Sequence, residues 1–242
     1  MRPDLPNIHE IWVYLSGSPL LALILTLTAY QIGVMVYERS RLNPLANPVL
    51  IAVTLIAAVI TALDMPYATY FEGAQFVHFL LGTATVSLAV PIYRGLASLR
   101  GRFVPLMAAL LGGGVTSIVS AVVIARLLGA DEAVVGGMYA KSLTAPIAMG
   151  VAERIGASPT LTAVFTVTTG ILGAALGRFV LDALRCQEWW QRGYAIGLAS
   201  HGIGTSRAFS VNAEAGAYAG LAMGLHGVIG AITIPWVLAW LR

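Results

Sequence analysis

Six intervals of this chain run for about twenty residues or more without a single charged side chain. They extend from Ile11 to Tyr37, Leu42 to Leu63, Gly73 to Tyr93, Phe103 to Ala125, Ile155 to Gly177 and Ala215 to Leu241. At 1.5 Å per helical residue each can cross roughly 30 Å of hydrocarbon. In lipid every backbone polar group must be satisfied within its own segment, so such a chain folds as α-helices. Hydrophobic residues make up 58% of the sequence and charged ones 10%, more apolar surface than a soluble core can use. The expected fold is therefore an all-α integral membrane protein, a single polytopic helical bundle over residues 1–242. The N-terminus, MRPDLPNIHE, is polar and acidic, unlike a cleaved leader.

Two further apolar intervals are compromised. Ala133 to Ala152 contains Lys141 and Pro146, and Gly193 to Ser206 holds His201, Thr205 and Ser206 with Arg207 following. These are expected to be broken or re-entrant helices, giving about six regular spans plus two irregular elements. Pro19, Pro48, Pro105 and Pro159 stand near segment starts, where a missing N–H costs little. Pro91 and Pro146 are interior and mark helix breaks, and Pro235 is similar.

Orientation follows from arginine. Arg39 and Arg41 follow the first span and Arg94, Arg100 and Arg102 the third, with acidic residues in the intervening loops. The positive-inside rule places the arginine loops in the cytoplasm. Arg178, Arg185 and Arg192 join them only if the Lys141 element dips in and returns, the favoured reading; a full crossing would turn them outward. An internal repeat is also expected, over 18–92 and 158–236, because Ser18–Thr28 aligns without gaps to Ser158–Thr168. A crossing Lys141 element would make that repeat inverted and a re-entrant one parallel. Glycines spaced by four, Gly173/Gly177, Gly193/Gly197 and Gly216/Gly220/Gly224, allow close helix approach within the bundle or between copies.

Of fourteen basic residues only one, Lys141, is a lysine, and it lies inside an apolar interval. An intramembrane amine marks a functional site by default. Ser142, Thr144 and Pro146 beside it suggest irregular backbone lining a polar cavity. A second hydroxyl-rich stretch, Thr83, Thr85 and Ser87 ending in Pro91, shares the hydroxyl-then-Pro-Ile pattern. Two broken helices meeting at mid-membrane would aim hydroxyls and free N–H groups at a carboxylate. The third polar element runs from Ser200 through His201 and Thr205 to Arg207: His201 can carry a proton and Arg207 can grip a carboxylate. Asn47 before Pro48 either opens a helix or joins the site. His78 and His226 each stand alone and read as structural or interfacial.

Other chemistries find no residues. The sequence has no His-Glu-x-x-His, no phosphate-binding Gly-Lys-Ser/Thr loop and no Gly-x-Ser-x-Gly. Its single cysteine, Cys186, excludes an internal disulfide, and no basic run suits nucleic acid. No cofactor, metal or enzymatic activity is expected. The retained cations argue for an anionic ligand.

At these elements the chain resembles the LrgB/CidB family of bacterial membrane proteins, similar also to one half of the plastidial glycolate/glycerate translocator. The resemblance rests on Asn47–Ala52, Leu80–Tyr93, Lys141–Met149, Leu161–Ala163 and Ser200–Ala208, and covers nearly the whole chain. Thr83 departs from a frequent proline and Ala145 from a frequent threonine. The resemblance implies a multi-pass protein of the bacterial inner membrane with one of two functions. One is transport of small monocarboxylates such as glycolate, glycerate or pyruvate, with proton coupling. The other is holin/antiholin-like regulation of murein hydrolase export and autolysis, with a small LrgA/CidA-type membrane partner. A homo-oligomer is compatible with either. In the transport reading Lys141, Ser142 and Thr144 bind the carboxylate, Thr83, Thr85 and Ser87 face them, His201 couples a proton and Arg207 holds a second anion or a gate.

Overall fold

The computed structural model describes residues 19–41, 43, 46–87, 90, 93 and 101–241, and these divide into two units, 1–84 and 85–242. The described elements are helical: α1 (Pro19–Arg39), α2 (Pro48–Ala62), α3 (Tyr67–Ser87), α4 (Phe103–Leu127), α5 (Glu132–Met138), α6 (Ala145–Ile155), α7 (Pro159–Ala183), α8 (Trp189–Val211) and α9 (Ala213–Leu241). Four of them, α1, α4, α7 and α9, are long and apolar enough to cross a membrane. That is fewer than the six regular spans expected from charge alone. Within 42–63, helix starts only at Asn47–Pro48, which leaves α2 with 15 residues. The helix begun before 73–93 is α3, whose first turns carry Glu72 and Gln75. Pro91 and the side chain of Thr85 lie outside the described residues.

In the first unit α1 and α2 pack closely because Gly33 has no side chain: a Cβ there would lie 3.0 Å from Pro48 Cα. Asn47 is the N-cap of α2. Its Oδ1 accepts from Val49 N (2.9 Å) and Leu50 N (3.2 Å), satisfying donors that the helix leaves orphaned. Thr26 donates to the Ala22 carbonyl and is bonded to the Tyr70 hydroxyl, both at 2.7 Å.

In the second unit the two compromised intervals are helical hairpins. A Cβ on Gly136, in α5, would lie 3.1 Å from Cβ of Ala157, just past α6. A straight helix would put those positions about 30 Å apart, so α6 folds back beside α5. Residues 139–144 form the tip, with Leu143 N donating to Ala140 O at 3.0 Å. Asp131 caps the ascending arm through Val134 N, 2.8 Å. Gly156, in the left-handed region at φ 73°, ends the descending arm. Pro146 does not interrupt a helix. It sits in the first turn of α6, where its missing N–H is harmless, and the break precedes it.

The second hairpin is hidden within α8. His201 has φ 42° and ψ −133°, far from helical values. Beyond it the chain reverses: a Cβ on Gly204 would lie 2.9 Å from Ile196 Cγ2, although eight helical residues span about 12 Å. Residues 189–200 and 202–211 are thus two arms meeting at His201. The short side chains of Ser200, Gly202 and Gly204 leave room for so tight a return. Pro235, by contrast, does not break α9, which continues to Leu241.

These turns fix the directions. α4 and the first arm of α8 start at one end, shown by Arg102 against Trp190 and Gly113 against Leu198. α7 runs opposite, from Gly170 against His201 to Asp182 against Arg192. α9 runs parallel to the first arm of α8, with Gly193 against Ala215 and Gly197 against Ala219. One end of the unit therefore carries Arg102, Arg178, Arg185, Arg192 and Arg207, and the other Arg126 and Arg154 beside Asp131, Glu132 and Glu153. The α5/α6 hairpin enters from the second end and the α8 hairpin from the first. A span followed by a hairpin, α4 with α5/α6, thus recurs upside down as α7 with α8.

Candidate functional site

Both hairpin tips end at mid-length of the long helices. From the α5/α6 tip, the Lys141 ammonium donates to Ser117 Oγ on α4 (3.1 Å) and to Ser142 Oγ (3.4 Å). The two hydroxyls are themselves bonded at 2.6 Å. Among the described residues no carboxylate oxygen lies within 4 Å of this ammonium. The amine's neighbours are hydroxyls, which solvate a cation and leave its charge uncancelled. Ser142 and Thr144 are buried; Thr144 stands at the N-cap position of α6, and its Oγ1 has no partner among the described residues.

A cavity of about 530 Å³ runs from the arginine-rich end to Ser117, the α4 partner of Lys141. It is lined by α4 and the first arm of α8, from Pro105 and Trp190 down to Ser117 and Ala199. The Tyr194 hydroxyl, on its wall, is buried without a partner among the described residues. Arg102 stands by Trp190 at the wide end. Its guanidinium lies 4.8 Å from the Trp190 ring centroid and donates to Tyr218 Oη at 2.8 Å.

α9 runs past both tips. Met223 Sδ accepts from Thr205 Oγ1 at 3.7 Å, and Gly227 and Gly230 face Ile147 and Leu143 of the α5/α6 hairpin. Between them lies His226, 6% exposed. Its ring packs where a Cβ on Gly114 would stand, 3.1 Å from Cε1, one turn of α4 before Ser117. It is close enough to Lys141 for the two to interact through charge.

His201 points elsewhere. Its Nε2–H donates to the Thr166 carbonyl on α7 at 2.8 Å, and the ring fills the space left by Gly170. Ser200 is buried against Gly173, and Thr205 against Met223. Arg207 lies on the returning arm. With Arg178, Asp182, Gln187, Trp189 and Arg192 it lines a separate cavity of about 300 Å³ at the arginine-rich end. Arg192 donates to Asp182 Oδ1 (2.7 Å) and to the Cys186 carbonyl (2.8 Å). Thr83 is exposed on α3, its hydroxyl donating to Leu80 O at 2.8 Å, and Ser87 is exposed at the end of that helix. Asn47 spends its side-chain oxygen on its helix cap.

Lys141, Ser142 and Thr144 therefore share one tip, as the sequence suggests, while His201 and Arg207 lie on the other hairpin. Ser117 and His226 are additions. Ser117 sits in an interval that reads as an ordinary span, and the only local signal is Gly112-Gly113-Gly114 just before it. No group of three or more metal-ligating side chains occurs among the described residues.

Residues 26–240 match the LrgB-like family. This chain belongs to that family. Among its relatives, the uncharacterized protein YxaC of Bacillus subtilis (strain 168) is 32% identical over 222 residues, covering 92% of this chain and 96% of its own. The holin-like protein CidB of Staphylococcus epidermidis is 28% identical, covering 89% and 93%. The antiholin-like protein LrgB of Bacillus mycoides is 25% identical, covering 93% and 97%. No solved structure matches the chain. The apolar spans and these relatives make this LrgB-like protein a multi-pass protein of the cell membrane.

Proposed function

We propose that this LrgB-like protein is a carrier of small organic monocarboxylates, of the glycolate, glycerate and pyruvate class. The observation that supports this most is the Lys141 ammonium, held by Ser117 and Ser142 with no carboxylate beside it among the described residues, behind the cavity that ends at Ser117. A buried cation left uncancelled is costly, and a bound carboxylate would remove that cost. Thr144 Oγ1 and the opening N–H groups of α6 add donors suited to an anion. The opposed hairpins, entering from the two ends with tips at mid-depth, resemble the broken helices around which many carriers alternate access. The positive-inside rule would make the arginine-rich end, and so the cavity mouth, cytoplasmic. For Thr83, Thr85 and Ser87 a substrate-binding role is likewise proposed. A shared origin for 18–92 and 158–236 is also proposed: Pro19 and Pro159 each open a helix.

The test is uptake of labelled glycolate, glycerate and pyruvate into proteoliposomes, with and without an LrgA/CidA-type protein. Uptake equal to empty liposomes under both conditions would remove the carrier reading. Uptake that survives Lys141→Met unchanged would remove the site.

The relatives' names favour a second reading, and fit it better than they fit transport. CidB is named holin-like and LrgB antiholin-like, which points to a regulator of murein hydrolase export and autolysis working with an LrgA/CidA-type partner. On this reading Lys141→Met leaves the lysis phenotype intact, whereas substitutions that disturb helix packing abolish it along with partner co-purification.

A further inference from the structure

We propose that His226, rather than His201, binds the proton that accompanies the anion, so that Lys141 and His226 hold one carboxylate between them. This rests on the carrier reading and names its coupling residue. Four observations support it. His226 lies on the α4 face that carries Ser117, one helical turn away, and Ser117 holds the Lys141 ammonium at 3.1 Å. Neither ring nitrogen of His226 is spent on a hydrogen bond to the described protein. Gly227 and Gly230, which follow His226 on α9, pack against Ile147 and Leu143 of the hairpin that carries Lys141. His201 has its ring against Gly170 and its N–H on Thr166 O, and there it serves as the latch of a strained hairpin apex.

Among the described residues the groups around His226 are few. The α5/α6 hairpin presents one charged group, Lys141. α4 presents Gly114 and Ser117, neither titratable. The α8 hairpin meets α9 at Met223 through Thr205, and its one titratable group near the tip is His201, bonded to α7. Two cations here repel each other in a low dielectric. A carboxylate seated between them turns that repulsion into attraction at both sides, so anion binding and protonation of the imidazole favour one another, reciprocally. With Lys141 charged throughout, the site carries one net positive charge empty and one when holding anion and proton. Loaded and empty forms then face the same electrostatic barrier in the bilayer. The proton is taken up on an imidazole nitrogen as the anion binds and is released from the same atom as the anion leaves.

The experiment is calorimetric titration of the full chain in nanodiscs with glycolate at pH 7, in two buffers of different ionisation enthalpy. The difference in heat counts protons taken up per anion bound. The wild type is expected to take up protons. His226→Gln is expected to bind glycolate about tenfold more weakly, with proton uptake reduced at least fivefold. His201→Gln is expected to lose affinity while keeping the wild-type proton count. If His226→Gln does not fold, Gly114→Ala replaces it, since it displaces the ring without removing it; proton uptake should again fall. An unchanged proton count in the folded His226 or Gly114 variant, or its loss in His201→Gln alone, overturns the proposal and leaves the carrier reading standing. A wild type that binds none of glycolate, glycerate or pyruvate overturns both.

Discussion

Gly197→Ala tests the packing that holds the α8 hairpin against α9. The new Cβ would lie 2.6 Å from Ala219 Cα and closer still to the Ala219 carbonyl oxygen. Comfortable carbon contacts are about 3.5–4.0 Å, so the two helices must part by about 1 Å. Overpacking costs about 1–3 kcal/mol, and the upper end applies here because main chain cannot rotate aside. Alanine returns about 1 kcal/mol of helix propensity, leaving a net loss of about 1–2 kcal/mol. At about 2–4 °C per kcal/mol for a chain of this size, the midpoint should fall by about 2–8 °C. The assay is size-exclusion chromatography of detergent-solubilised protein after stepwise heating. Two controls separate clash from side effects. Gly112→Ala, with nothing within 4 Å of its Cβ, should melt at or slightly above the wild type. Gly230→Ala meets the end of the Leu143 side chain at 2.7 Å, which can move, so it should cost less than Gly197→Ala. A Gly197→Ala protein as stable as Gly112→Ala would refute the α8–α9 contact and, with it, the reversal at His201.

Other outcomes follow from the same geometry. The native Cys186, in the loop between α7 and α8, should react with an impermeant thiol reagent from the same side as a cysteine placed at Gly101. In a Cys186→Ala background a cysteine at Asp131 should react from the other side; labelling of Cys186 and position 131 from one side would show that the Lys141 element crosses. Asn47→Ala should cost about 0.5–2 kcal/mol through the lost cap and lower the melting midpoint while leaving carboxylate affinity unchanged. Ser117→Ala should weaken glycolate binding several-fold in calorimetry without lowering the midpoint by more than a few degrees, because Ser142 still solvates the ammonium. Wild-type affinity in that variant would take Ser117 out of the site.

Local signals in the sequence were enough to find the irregular elements. Lys141, Pro146 and the Ser200–Ser206 stretch each break an apolar interval. Arginine placement also favoured return over crossing, as the contact of Gly136 with Ala157 bears out. Span number was less legible, because charge-free length does not say where a helix begins: Asn47–Pro48 starts α2 late, and Pro235 leaves α9 unbroken. The partners of Lys141 were not legible at all. Ser117 is 24 residues away in a span whose threonine and serine could equally have bonded to their own helix carbonyls. His226 reads as solitary because its neighbours, Gly114 and Lys141, lie on other elements.

What does connect them is the pattern of missing side chains. Gly114 leaves room for the His226 ring, Gly113 for Leu198, Gly170 for His201, and Gly173 for Ser200. These glycines make room for residues at or beside the tip or the central histidine, rather than for a long helix–helix seam. Spacings of four suggested general packing of helices, and Gly193 and Gly197 do pack backbone to backbone in that way. The single glycines of α4 and α7 carry the other information. A histidine in an apolar span needs a hole opposite it, and in a chain this rich in glycine the hole is supplied by a residue with no chemistry of its own. Pairing each buried polar residue with the glycine that must face it is therefore a stronger guide to the centre of this protein than the polar residues taken alone.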